Sequence, residues 1–308
     1  MSVPMPRRTG DRMRIGAFSR TAEECLAGET PRFADLVAIA RAAEAVGLDS
    51  YWVPDHLGFR AGDPDELGCW ETMTLLGGLA AATERITVGP LVAATGFRPP
   101  AVLARAAVTL DEISGGRFIL AAGAGNWPAE HRVNGIPFDH RVSRFEESLQ
   151  VIGPLLRGEE VTFAGQYVDV ERCRVRPGGP STGGPPLWVG ARGERMMRNA
   201  ARHADAWNII WPHDADEVRE RWGRMVEICN EVGRDPGTLG LTVGTHVRLP
   251  GDDDPDDDVI TGADREIADQ LLAFEAPGVD HLIIDFRPET TVDVVHRFGR
   301  VLRLMGRA

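Results

Sequence analysis

The chain has no lysine. All 34 of its basic residues are arginine, set against 46 acidic ones, for a formal net charge of −12 over 308 residues. That absence removes Schiff-base catalysis, the P-loop with its Gly-Lys-Ser/Thr, and the strand lysine of protein kinases. The acidic balance sets the chain against nucleic acid as a partner, because phosphate contacts need a basic face. Cysteine is scarce: Cys25, Cys69, Cys173 and Cys229 lie far apart with no Cys-x-x-Cys, so zinc-ribbon and thioredoxin chemistry are excluded. Reduced thiols in a cytoplasmic protein are the expectation. No run reaches the ~18 apolar residues of a membrane helix. Residues 1–14 lack the apolar stretch of a secretory signal, and residues 1–13 are expected to be disordered. Gly-x-Ser-x-Gly and His-Glu-x-x-His are missing, which sets aside those hydrolase classes. The acidic run 252–254 and 256–258 lacks the glycine and distal glutamate of a calcium loop, so no metal site is expected.

What the chain has is alternation. Glycine is abundant, 35 of 308 residues, which implies many turns and close backbone approaches. Short β-branched and apolar runs predict strands over 14–18, 50–54, 85–92, 117–122, 187–190, 206–210, 239–249 and 281–286. Helical spacing follows each of them, over 33–46, 70–82, 100–113, 141–156, 194–203, 214–232, 263–274 and 291–304. Thr30-Pro31 reads as N-cap and first helical residue of the first helix, and Gly47 as its end. A hairpin over 161–170 turning at Ala164-Gly165, and a Pro/Gly-rich loop over 177–186, interrupt the series. Eight β-then-α units predict one domain, 1–308, folded as a (β/α)8 TIM barrel. Its insertions are expected after strands 2 and 4 and around a small hairpin before strand 5. An open doubly wound sheet is disfavoured, because strand one runs into Ser19-Arg20-Thr21 rather than a Gly-x-Gly-x-x-Gly turn.

A barrel of this kind carries its chemistry at the C-terminal ends of its strands. There the sequence places Asp55-His56, a carboxylate beside an imidazole that titrates near neutrality. It also places Gly123-Ala124-Gly125-Asn126-Trp127, Gly190-Ala191-Arg192-Gly193, Trp211-Pro212-His213 and Asp285-Phe286-Arg287. The glycines at 123 and 125 admit a ligand close to the backbone or simply make a tight turn. Arg192, Arg195, Arg198 and Arg202 follow one another at helical spacing, either as an anion site at a helix start or as a solvated face. Trp52, Trp70, Trp127, Trp188, Trp207 and Trp211 lie near strand ends, as walls for a planar ring or as core.

Several segments together resemble the luciferase-like monooxygenase superfamily, in particular its coenzyme F420-dependent branch. They are Ser50-Tyr-Trp-Val-Pro-Asp-His56, Arg85-Ile-Thr-Val-Gly-Pro90, Thr109-Leu-Asp-Glu-Ile-Ser-Gly-Gly-Arg-Phe118, Gly123-Ala-Gly-Asn126, Phe138-Asp-His-Arg-Val-Ser-Arg-Phe-Glu146 and Pro186-Leu-Trp-Val-Gly-Ala-Arg-Gly193. The resemblance implies a flavin-type ring at the barrel mouth, contacted by Asp55, His56, Gly123, Gly125, Asn126, His140 and Arg141. It implies a non-prolyl cis peptide behind the ring near Pro90-Leu91. It implies the cofactor phosphate at Gly190, Ala191, Arg192 and Gly193. Sugar-phosphate dehydrogenases of the superfamily have a catalytic Glu where this chain has Asn126, a departure that speaks against that substrate. His56, Asn126 and Glu130 are the candidate catalytic residues, with His131 beside them. Three functions follow as alternatives: hydride transfer with F420 on a small organic substrate, monooxygenation with reduced FMN and O2 supplied by a partner reductase, or a non-catalytic flavin-binding barrel. A homodimer acting on a small molecule, with no nucleic-acid or membrane partner, is implied. The loops 59–68 and 177–185 are candidate lids.

Overall fold

Apolar residues on both faces of a short strand call for a parallel sheet covered by helices. The computed structural model, which describes residues 12–254 and 258–307, folds them that way. The barrel strands are β1 (Arg14–Phe18), β2 (Ser50–Val53), β3 (Thr87–Pro90, resumed as Ala93–Ala94), β4 (Leu120–Gly123), β5 (Leu187–Gly190), β6 (Ala206–Ile210), β7 (Gly240–Arg248) and β8 (His281–Arg287). All neighbouring strands run parallel, in the order β3, β2, β1, β8, β7, β6, β5, β4 and back to β3. The first half of β3 pairs with β2 and the second with β4, so the sheet closes through one broken strand. The break is at Leu91-Val92, which is the non-prolyl cis peptide. It falls one bond beyond the expected position.

Around the barrel stand α1 (Phe33–Ala45), α2 (Thr72–Ala82), α3 (Pro100–Ser114), α4 (Arg141–Leu156), α5 (Glu194–His203), α6 (Ala215–Val232), α7 (Asp264–Leu272) and α8 (Val292–Leu304). The expected insertions are present: a ribbon of Gly58–Phe59 with Leu67–Gly68 after β2, a short helix Pro128–Val133 after β4, and the hairpin Val161–Ala164 with Asp169–Cys173 before β5.

Strand parity divides the core. Ile15, Tyr51, Val53, Leu120, Val189, Trp207, Val243 and Ile284 belong to the layer shared with the helices. Phe18, Trp52, Leu91, Ile119, Ala121, Trp188, Ala206 and Ile283 fill the barrel interior, where the Trp52 and Trp188 rings stack with centroids 4.9 Å apart. Gly16 is required inside: a Cβ there would sit 2.0 Å from Ser50 Oγ. Lower down, Ser50 Oγ lies 2.6 Å from His281 Nε2 and accepts from Trp52 Nε1.

Four expectations change. Residues 1–11 lie outside the described part of the chain, but Met13 is fully buried, so order begins before 14. Helix α1 starts at Phe33, not at Pro31, because the Asp35 carboxylate accepts from the Arg32 N–H and caps the turn there. Helix α2 starts at Thr72, where Glu71 takes the N-cap and accepts from Thr74 N–H. The 177–185 segment leads into the start of β5, and its Ser181 donates to Asp111 near the C-terminus of α3. It therefore lies at the end of the barrel opposite the mouth and cannot be a lid.

Candidate active site at the strand C-termini

The inward parity of each strand, carried past its end, names the mouth: Arg20 after β1, His56 after β2, Gly125 after β4, Arg192 after β5, His246 on β7, Asp285 and Arg287 on β8. The short helix after β4 brings Glu130 to His56, 74 residues earlier in the chain. His56 Nδ1 lies 3.3 Å from Glu130 Oε2, and the ring packs against Phe59 and Trp127 with centroids 4.7 and 5.0 Å away. Glu130 is buried and also accepts from the N–H groups of Leu57 and Gly58. Burial alone would raise its carboxyl; the hydrogen bonds from His56, Leu57 and Gly58 outweigh it and hold the group below the usual carboxylate range. An ionised partner on Nδ1 leaves His56 Nε2 as the exchanging nitrogen. That atom makes no hydrogen bond among the described residues. Glu130 thus acts through His56 rather than at the mouth itself. His131 is buried between Phe97 and Phe138 with Nδ1 on the Trp127 carbonyl, and does not reach the mouth.

Asp55 is equally committed. Its carboxylate takes both Arg98 nitrogens, at 2.7 and 3.0 Å, and the Ala94 N–H at 2.9 Å. The expected ring contact is therefore replaced by a clamp that fixes β3 just past its break. Arg98 goes on to Glu71, whose carboxyl is drawn down to about 2: burial would raise it, and the Arg98 and Thr74 hydrogen bonds overcome that. The role of Arg98 was not legible from its own neighbours in the sequence.

Leu91 and Val92 form the floor of the mouth. A Cβ on Gly123 would meet Val92 Cγ2 at 2.7 Å, and one on Gly190 would meet Val92 Cγ1 at 3.2 Å. These glycines make room for Val92. Gly125 has φ +77°, and a Cβ on it would meet His131 at 2.9 Å, so it serves the turn. Pro90 is buried beneath this floor, and Asn126 is exposed at the rim with no hydrogen bond among the described residues.

After β5, Ala191 is tied to Asn208 and Trp207, and Gly193 is the N-cap of α5 without a side-chain cap. Arg192 is exposed and makes no ion pair or hydrogen bond among the described residues. The stripe beyond it is not a free anion track. Arg195 pairs with Glu146, and Arg198 with Glu231 and Glu194. His140 and Arg141 begin α4 at the same end of the barrel; His140 stacks on Tyr167 and Arg141 lies over Phe138. Arg195 donates to Ser143, so the first turns of α4 and α5 stand side by side.

Of the tryptophans, Trp52, Trp188 and Trp207 are core, Trp70 lies outside, and Trp127 and Trp211 wall the mouth. Sequence reading overlooked Arg20 and His246; extending the two-residue alternation of β1 and β7 past the core positions would have found both. The acidic run carries ion pairs, Asp252 with Arg297 and Asp254 with Arg287, while Asp256 and Asp257 lie outside the described residues. All four cysteines are free, and no metal-binding cluster exists among the described residues.

Eight parallel strands with paired polar groups at their C-terminal ends define the class, a (β/α)8-barrel enzyme with its site at the mouth. The chain belongs to the luciferase-like monooxygenase family of oxidoreductases, whose model matches residues 13–257. It is 32% identical over 252 residues to a phthiodiolone/phenolphthiodiolone dimycocerosates ketoreductase of Mycobacterium kansasii, covering 75% of this chain and 64% of that one. Among solved structures it resembles an F420-dependent secondary alcohol dehydrogenase in complex with an F420-acetone adduct (TM-score 0.80, 19% identity, 96% of this chain and 99% of that one). A riboflavin lyase with modified FMN is similarly close (TM-score 0.79, 15% identity, 97% and 93%). At these identities the likeness shows the fold. No helix among the described residues is long and apolar enough to cross a membrane.

Proposed function

We propose that the chain is an F420-dependent oxidoreductase that moves a hydride to or from a small organic substrate. The observation that carries this reading is His56, held at the mouth by buried, ionised Glu130 and walled by Phe59 and Trp127. The mouth fits a flavin-like ring: Leu91-Val92 is an apolar floor cleared by Gly123 and Gly190, with Asn126 at the rim. The cofactor phosphate fits the uncapped start of α5, where Gly193 leaves its first-turn N–H groups open beside the unpaired Arg192. When bound, F420 supplies the hydride carrier; the protein supplies orientation and the proton. His56 Nε2 takes the hydroxyl proton when an alcohol is oxidised and returns it to the oxygen when a carbonyl is reduced. Glu130 stabilises the protonated ring meanwhile.

FMN with O2 is the second reading. The fold neighbour holding modified FMN favours it. Fluorescence titration with oxidised F420 and with FMN separates the two. Affinity for FMN alone would overturn the F420 reading. His56→Ala is expected to lower kcat by about 10²–10⁴-fold, the usual share of general acid–base catalysis, with cofactor affinity unchanged. Undiminished turnover would remove the assignment.

A further inference from the structure

We propose that the arc of the mouth formed by β6, β7, β8 and β1 is a subsite for a neutral, oxygen-bearing organic molecule. Arg20 and His246 hold its oxygen, and Trp211 walls its apolar part. This rests on the reading above only in that the cofactor takes the other arc, from β2 to β5.

The arc is built around Asp285, which is buried and stands beside His246 in the register of β8 and β7. One carboxylate oxygen, Oδ2, lies 2.8 Å from Arg20 Nη2 and 3.2 Å from His246 Nδ1. The histidine contact lacks hydrogen-bond geometry, so Nδ1 is buried without a partner. Arg20 also donates to the Pro288 carbonyl at 3.3 Å, and its other N–H groups have no partner among the described residues. Trp211 has φ +54°, which lays its indole across Gly244 and flat on the His246 ring, with centroids 4.1 Å apart and planes 16° apart. The edge of Phe18 closes the other side at 6.1 Å.

Charge decides what this arc accepts. Asp285 cancels Arg20, and Asp254 pairs with Arg287 at 3.3 Å. The arc therefore presents N–H donors without surplus positive charge. A carbonyl or hydroxyl oxygen satisfies those donors, whereas a phosphate or carboxylate would meet Asp285 with no cation left to balance it. Across the mouth Arg192 is unpaired, so the two arcs differ in kind: one suits an anion, the other a neutral dipole beside an aromatic wall. None of this uses the departure at Asn126, yet it points the same way, against sugar phosphates.

The matched probes are 2-hexanone and 2-oxohexanoate, which differ by a methyl against a carboxylate next to the same carbonyl. Each is titrated calorimetrically into the protein alone and saturated with F420 or with FMN. The expected result is binding of 2-hexanone, with 2-oxohexanoate at least tenfold weaker. His246→Leu should weaken 2-hexanone roughly tenfold, the worth of one hydrogen bond to a buried donor. Cofactor affinity and melting temperature should stay in place. Because Arg20→Met alone would orphan Asp285, the charge-balanced pair Arg20→Met with Asp285→Asn is the second variant, and it too should lose the ketone. Keto acid binding as tightly as ketone, no heat from the ketone in any form, or an unchanged ketone affinity in His246→Leu each overturns the proposal. Failure of both cofactors to bind would instead strike the F420 and FMN readings, independently of the ketone result.

Discussion

Glu130 shows how one side chain can be both structural and functional. It accepts from two backbone N–H groups of the loop after β2 and from His56, so it fixes the loop and the imidazole together. Its carboxyl is held below the usual range. A group depressed in the folded state contributes stability above its ordinary pKa and loses it as pH falls through the lowered one. Glu130→Gln should therefore be less stable than the parent at about pH 7, with the difference in urea midpoint closing as pH falls below the ordinary carboxylate range. Its kcat should fall with that of His56→Ala, because the imidazole loses the group that orients it, while cofactor affinity holds. A midpoint difference that is constant with pH would show that the ionised form has no special place in the fold.

At the scale of the element, β3 decides the shape of the mouth. Its two halves pair with different neighbours, and Val92 projects between Gly123 on β4 and Gly190 on β5. Gly123→Ala would bring a methyl to 2.7 Å from Val92 Cγ2. It should cost about 1–3 kcal/mol, as overpacking does, and weaken cofactor binding by tilting the floor. Val92→Ala in the same chain should restore much of both, since the two sites share one contact. A single variant as stable as the parent would mean that the floor yields freely. These interlocks also mark where the sequence is legible. Strands buried on both faces between helices announce themselves, as Ile15-Gly16-Ala17 and Leu282-Ile283-Ile284 do, and so the eight-unit count holds. The break in β3 does not, because it depends on which neighbour each half meets. The start of α1 moves by two residues because a side chain three positions on, Asp35, reaches back to Arg32. Asp55-His56 could be read as a site from the sequence, but their partners Arg98 and Glu130 lie 43 and 74 residues away, and only the closed barrel brings them together.

For the whole molecule, the absence of lysine has a consequence at high pH. Every ion pair in which a lysine would lose its charge near pH 10 is here made by arginine, which keeps its charge. Asp55 with Arg98, Asp285 with Arg20 and Glu146 with Arg195 should all persist well into alkali. What titrates instead is buried acid. Burial first, then the charges of Glu130, Cys25 and Glu23, pushes the Cys69 thiol up to about 12, and burial pushes the Tyr51 hydroxyl upward as well. A group raised in the folded state contributes stability that is complete below its unfolded pKa and lost as pH rises toward the folded one. The unfolded chain ionises its thiol near pH 9, so stability should hold up to there and then decline up to about pH 12. Cys69→Ala removes one of these groups and leaves every arginine pair intact. Its melting temperature should fall less steeply than that of the parent between about pH 9 and pH 11, whatever its value at neutrality. Parallel curves for the two proteins would assign the alkaline loss to the ion pairs after all.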